Sequence, residues 1–369
     1  MLNVCGVTFD HTTNYGSCFQ AYALQNAIEK IFVGGGIEKC TYQLIPIRTF
    51  KEFPIKNRLK NELVKPAVEW HRSRFKPFES KYMKFADVDC LGQLEKLNTT
   101  VDAFVCGSDV IWNPDFNVGL GAFYLDFAKK YKFSYAASFG KAISKETEWI
   151  KIQKYLASFD AVSVREKTGA ELVKRCTGIE AKIVADPVLL LEREDWDRIA
   201  AIRSHSNQKP YIFVYTTHLN DTIRHFIAKL GNQTGLKVIR ATFGPKQAVK
   251  QGILQVQTPK QWLQLLRDAE YVVTNSFHAT AFSVLFHKKF FTVVYGEKGK
   301  GINVRMNDFL NGIDLGNRIY SSVPDSMETD NIDFLEVDKK IEQLKKDSLA
   351  FLKENLEAAY RRKCVCQSE

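Results

Sequence analysis

A two-domain α/β fold built on parallel sheets is predicted by three features of the sequence. Its 369 residues exceed what one ordinary hydrophobic core serves, so two domains are expected. Short apolar, strand-like runs alternate with helix-like stretches from end to end, the signature of βα units and a parallel sheet. Hydrophobic residues make up 45% and charged residues 25% of the chain, the balance of a soluble globular protein.

Taken in order, strands are predicted at 2–9, 41–46, 101–106, 133–138, 161–165 and 181–184 in the first half. In the second half they are predicted at 211–217, 236–240, 271–274 and 290–294. Helices are predicted between them, for example over 17–31, 167–176, 220–232, 259–268 and 279–286. Pro259 suits a first helical turn, where its missing N–H costs nothing. The polar stretch 203–210 reads as a linker between an N-terminal domain at 1–203 and a C-terminal domain at 204–330. In the remainder, 331–369, Ile341, Leu344, Phe351, Leu352 and Leu356 share one face of a long amphipathic helix. That helix is expected to pack back on the first domain, ahead of a polar tail.

The formal net charge is +10, and between Lys51 and Lys84 ten basic residues stand against four glutamates. Such a stretch is either a solvated helix face or a surface for anionic lipid or a pyrophosphate-bearing acceptor. No nucleic-acid-binding motif accompanies it. No apolar run approaches the ~20 residues of a membrane span. The N-terminus lacks the basic n-region and the cleavage site of a signal peptide, so none is expected. A cytoplasmic chain with a peripheral contact at the inner membrane face is expected. The eight cysteines show no paired metal-ligand spacing and are expected to be reduced thiols.

In open α/β sheets ligands bind beyond the carboxyl ends of the strands, so the polar residues there are the candidates. After the first strand comes Asp10-His11-Thr12-Thr13-Asn14-Tyr15-Gly16, with Ser17 placed to cap a helix. Asp10 and His11 could exchange protons or hydrogen-bond the loop. Gly107 permits a tight turn that projects Ser108 and Asp109, with Trp112 close behind. A carboxylate beside an aromatic face can hold a sugar, whereas a simple turn would leave Trp112 in the core. Arg165 ends another strand, where its guanidinium offers a fork for phosphate or carboxylate, or an ion pair with Glu166. Asp186-Pro187 reads as a turn device. His278 stands between a strand and an apolar helix, a position suited to proton transfer. The glycine-rich, basic segment 296–310 brings Lys298, Lys300 and Arg305 to a candidate anion site.

Together, and in order, Asn14-Tyr15-Gly16, Gly107-Ser108-Asp109 with Trp112, Tyr135-Ala136-Ala137-Ser138-Phe139-Gly140, Val164-Arg165-Glu166, Asp186-Pro187, Thr274-Asn275-Ser276-Phe277-His278, and the later Asn303 and Arg305 resemble the polysaccharide pyruvyl transferase family. The resemblance spans about residues 3 to 312. It implies two Rossmann-like domains facing a cleft, similar to GT-B glycosyltransferases. It implies phosphoenolpyruvate as donor and a sugar diol in a glycan or lipid-linked glycan precursor as acceptor. The product would be a cyclic pyruvate ketal, with phosphate released and neither metal nor cofactor required. Arg165 matches the family's donor-binding arginine, and His278 its essential histidine. Lys298, Asn303 and Arg305 would join the donor site. Ser276 stands where many members carry arginine, so Ser276 and the Phe277 amide are expected to take over part of that contact. Asp109 is expected to assist catalysis on the acceptor side, where Asp10, Asn14, Tyr15, Ser108 and Trp112 would bind the sugar. The competing readings are a GT-B nucleotide-sugar glycosyltransferase, with Glu297 on a ribose, and a non-catalytic glycan-binding relative.

Overall fold

The computed structural model describes residues 1–31, 39–47, 65–114, 121–140, 146–200, 209–242, 244, 256–294, 304–327 and 332–368. Within them the first half runs β1 (Leu2–Val7), α1 (Tyr15–Lys30), β2 (Cys40–Leu44), α2 (Lys65–Ser73), α3 (Lys76–Tyr82), β3 (Ala103–Cys106) and β4 (Tyr131–Ser134). It continues through α4 (Glu146–Leu156), β5 (Ser163–Val164), α5 (Lys167–Thr177), β6 (Lys182–Ile183) and α6 (Arg193–Ala200). The second half runs β7 (Tyr211–Thr216), α7 (Asp221–Thr234), β8 (Lys237–Thr242), α8 (Pro259–Arg267), β9 (Tyr271–Thr274) and α9 (Phe277–Leu285). Then come β10 (Lys289–Val293), α10 (Val304–Gly312), β11 (Ile319–Tyr320) and the long α11 (Phe334–Ser368).

Both halves are parallel sheets. The first has the order β2-β1-β3-β4, and bridges from Phe133 to Ala161 and from Ala137 to Val164 continue it to the β5-β6 pair. The second has the order β11-β10-β9-β7-β8. The central strands β7 and β9 are buried along their whole length, as parallel strands covered on both faces must be. In each sheet the chain leaves the first strand to one side and returns on the other. The switch points therefore lie between β1 and β3 and between β7 and β9, where such folds open a crevice for ligand.

The strand over 133–138 is shorter than the sequence suggests. It stops at Ser134, and Ala136 takes a left-handed backbone with φ 52°. The C-terminal helix runs to Ser368, so Cys364 lies on its last turns rather than in an extended tail. This helix lies along the first sheet. Phe351 meets Phe133 at 6.4 Å, and the Tyr131 hydroxyl donates to Asn355 at 2.9 Å. Further along, Ser348 accepts from the Ala185 N–H at 2.8 Å and Lys363 pairs with Asp102 at 2.9 Å. Cys5, Cys18, Cys40, Cys90, Cys106, Cys176 and Cys364 are free thiols.

One apolar core crosses between the halves. Phe19 of α1 meets Trp196 of α6 at 5.5 Å and Phe282 of α9 at 5.4 Å. Tyr15 stacks on Trp262 of α8 at 5.2 Å with the rings 11° apart. Such pairs add about 0.5–1.5 kcal/mol each beyond the area they bury. The carboxyl ends of the two sheets are thereby held face to face.

Candidate functional site

Asn14, rather than the expected Ser17, caps α1: its side-chain oxygen accepts from the Gly16 N–H at 2.9 Å. Ser17 sits inside the first turn, where its hydroxyl donates to Asp109 Oδ2 at 2.6 Å. Gly16 presents a bare backbone to the other half. A Cβ built there would lie 2.2 Å from His278 Nδ1, so only glycine lets the imidazole come this close. His278 is the second residue of α9, and the preceding strand end is fixed by Asn275. Asn275 Oδ1 accepts from the Thr217 N–H at 2.7 Å, and its amide donates to the His218 carbonyl at 2.9 Å. The switch point between β7 and β9 is thus stapled directly behind His278.

Three strand ends of the first half converge on that imidazole. After β3, Asp109 takes φ 75°, and its Oδ1 accepts from the Val110 N–H at 2.8 Å. After β5, Arg165 donates through Nη1 to Asp186 Oδ2 at 2.7 Å, while its Nε lies 3.7 Å from Glu166 Oε2. The guanidinium also covers the Phe277 ring at 4.1 Å. After β6, Asp186 Oδ2 accepts from the Ser108 hydroxyl at 3.0 Å and lies 3.4 Å from His278 Nε2, in an orientation that completes no hydrogen bond. Arg305, one residue into α10, is buried close enough to Arg165 for their like charges to interact.

The electrostatics follow from this crowding. Burial alone would raise the Asp109 and Asp186 carboxyls, but His278 and Arg165 beside them hold both below the usual carboxylate range. Burial raises Glu166 despite the nearby Arg165. Burial, with repulsion from Arg165, lowers the Arg305 guanidinium to about 10. Arg165 Nε and Nη2, Arg305 Nε and His278 Nε2 are all buried and make no hydrogen bond. The arrangement is a buried, donor-rich cluster assembled from both halves. Among the described residues no group of His, Cys, Asp and Glu gathers to hold a metal ion.

The structure corrects several sequence expectations. Trp112 does not face a sugar. The left-handed turn at Asp109 folds the chain back, and Trp112 is fully buried, stacked on Tyr124 at 5.6 Å. Tyr15 is likewise not on the acceptor side. It is buried between the halves, its hydroxyl donating to the Gln257 carbonyl at 3.0 Å. Ser108 directs its hydroxyl to Asp186 rather than outward. Asp186, read as a turn device, does cap the short turn at Pro187–Leu189, with Oδ1 accepting from the Val188 N–H at 3.1 Å. It also links Arg165, Ser108 and His278, and the strand-end rule that selected Arg165 would have found it. Asp10 is buried and pairs with His11 Nδ1 at 2.8 Å at the end of β1, with His11 partly exposed. Ser276 is buried at the start of α9 without a side-chain cap bond, and Phe277 serves Arg165 through its ring. Lys298 and Asn303, with Glu297 and most of the 296–305 segment, lie outside the described residues.

Two parallel-sheet halves with a polar site between their carboxyl ends define a GT-B-like α/β protein. Similar solved structures agree. A putative UDP-N-acetylglucosamine 2-epimerase from Listeria monocytogenes matches with TM-score 0.53 at 11% identity, over 98% of this chain and 96% of that one. A UDP-N-acetylglucosamine 2-epimerase from Rickettsia bellii gives TM-score 0.53 at 11% identity, over 99% and 96%. The Methanocaldococcus jannaschii UDP-GlcNAc 2-epimerase in complex with UDP-GlcNAc and UDP gives 0.51 at 12%, over 93% and 92%. At such identities the likeness concerns the fold. A comparison with curated proteins finds no match. The sequence profile of the family described as polysaccharide pyruvyl transferase matches residues 14–297, most of the chain, and the chain belongs to that family.

Proposed function

We propose that the protein transfers the enolpyruvyl group of phosphoenolpyruvate onto two hydroxyls of a sugar in a glycan or lipid-linked glycan precursor. The product is a cyclic pyruvate ketal, and phosphate leaves. The observation that supports this most is the set of unpaired buried donors on Arg165, Arg305 and His278. Each unpaired buried donor costs about 1–3 kcal/mol, more when charged. A ligand rich in anionic oxygen would satisfy them, and phosphoenolpyruvate brings a carboxylate and a phosphate in one small molecule.

In this reading Arg165 and Arg305 align the donor and stabilise charge on the departing phosphate, with Lys298 and Asn303 assigned to the same task. His278 moves a proton during the two additions. Asp109 assists at the acceptor, and Asp10 and Asn14 on the loop after β1 contact the sugar. The reading calls on no cofactor beyond the co-substrate. A lipid-linked acceptor would place the protein at an anionic membrane face. Purified protein is incubated with phosphoenolpyruvate and a panel of sugar diols. Acceptor-dependent phosphate release, with the product mass increased by one pyruvate ketal, is expected. Turnover of a nucleotide sugar instead, or no thermal stabilisation by phosphoenolpyruvate, overturns the reading.

A further inference from the structure

Asp186 sits where groups from both halves meet, and its position is over-determined. The Ala185 N–H donates to Ser348 of α11 at 2.8 Å, and the Ala185 carbonyl accepts from the Tyr135 hydroxyl at 3.0 Å. Pro187 follows it, and the Val188 N–H holds Oδ1. The remaining oxygen, Oδ2, accepts from Arg165 Nη1 at 2.7 Å and from the Ser108 hydroxyl at 3.0 Å, and lies 3.4 Å from His278 Nε2.

We infer that Asp186 is a positioning residue that keeps a proton on His278 Nε2, making His278 the acid that protonates the methylene carbon of the donor; the inference rests on the reading above. Nε2 lies 3.4 Å from a carboxylate oxygen, so a proton there is attracted and a bare lone pair repelled, although the angle completes no hydrogen bond. The other edge of the ring is confined by the Gly16 backbone, so the imidazole cannot turn away. Asp109 after β3 and Asp186 after β6 face His278, and Arg165 after β5 and Arg305 of α10 stand beside those two carboxylates. The first turn of α1 presents Gly16, and α9 itself the Phe277 ring at 5.5 Å.

The proton balance then closes. In the first addition the Nε2–H bond breaks and a C3–H bond forms from the π electrons of C2=C3. The oxygen of the first hydroxyl bonds C2, and its proton passes to Asp109. In the second addition the other hydroxyl oxygen bonds C2 as the C2–O bond to phosphate breaks. The proton of that hydroxyl returns to His278 Nε2, and the one on Asp109 leaves with phosphate. Both residues end as they began.

The test has two arms. Nitrogen-15 NMR of histidine-labelled protein without ligand, assigned by loss of the signal in His278→Gln, reads the proton on Nε2. It is expected in the wild type and in Asp186→Glu, and lost in Asp186→Asn. An unprotonated Nε2 in the wild type, or one that survives in Asp186→Asn, overturns the inference whatever the activity. In the kinetic arm Asp186→Asn should lower kcat roughly 10²-fold. The alkaline limb of its kcat profile should move toward lower pH. In a His278→Gln background the same change should cost less than about 3-fold, because both substitutions remove one function. Additive losses would mark Asp186 as merely structural. If the NMR arm holds while phosphoenolpyruvate is never turned over, the proton placement stands and the donor reading falls with its step.

Discussion

At Arg165 a single side chain makes an ion pair, a cation–π contact and an unfilled hydrogen-bonding edge. Replacing it by lysine keeps the charge but loses the fork. Arg165→Lys should raise the phosphoenolpyruvate KM at least about 10-fold, and steady-state kinetics with an unchanged KM would refute its donor role. Asp109 and Asp186 add a pH signature. Because His278 and Arg165 hold their folded carboxyls below the usual range, their stabilisation is complete above the unfolded value near ~4 and fades as pH falls through the folded values. Glu166, raised by burial, contributes in the opposite sense. The stability gap between wild type and Asp186→Asn should therefore narrow from pH 6 to pH 3 in denaturant titrations. A gap that stays constant would mean the Asp186 carboxyl is not held low. At this scale the positions of Arg165 after β5 and of His278 after β9 were legible, because a polar residue at a strand's carboxyl end is a local signal. It misplaced Trp112 and Tyr15, because the direction of a side chain after a left-handed turn or inside an interface is set by packing that no local pattern records.

At the level of elements, the start of α1 carries most of the assembly. Asn14 caps it, Ser17 holds Asp109, Tyr15 stacks across the interface, and Gly16 receives the imidazole. Gly16→Ala should force His278 off Asp186 and cost about 1–3 kcal/mol of stability, as overpacking does. Turnover should fall far more than a melting curve alone would suggest, and normal turnover in this variant would contradict the close approach. Tyr15→Phe removes one bond to Gln257, worth about 1 kcal/mol, and should leave the acceptor KM unchanged. The basic stretch over 51–84 is partly outside the described residues. Of its described cations, Arg72 pairs with Glu79, Lys84 with Glu29, and Arg74 donates to the Val256 carbonyl. Trp70 of α2 is nevertheless 50% exposed among them. Salt-sensitive binding to anionic vesicles with a blue-shifted tryptophan emission is expected, and no binding at low salt would remove the membrane contact from the proposal. The helices and strands themselves were largely legible, since hydrophobic periodicity decides them; β11, at the edge of the second sheet, was not among the predicted strands.

Across the whole molecule, the site residues His278, Arg165, Asp109 and Arg305 are all nearly or fully buried. A parting of the halves during ligand exchange is therefore expected, and it can be measured. Scattering in solution should report a more compact particle when phosphoenolpyruvate is added, and an identical profile would argue that the donor enters by another route. The parallel-sheet architecture was readable from the alternation of elements. The packing of one half on the other was not, because it joins residues such as Gly16 and His278 that are far apart in sequence.

The contact between Ser348 and Ala185 has a consequence for synthesis on the ribosome. The segment that fixes Asp186 is translated long before the helix that clamps it. Until α11 emerges, the first sheet carries an open apolar face where Phe351, Leu352 and Leu356 will later lie. The nascent N-terminal half is thus obliged to wait, sticky and catalytically unset, for residues added near the finish. A chain ending before α11, at residue 331, should accordingly aggregate when expressed alone, and supplying α11 in trans as a peptide should restore its solubility.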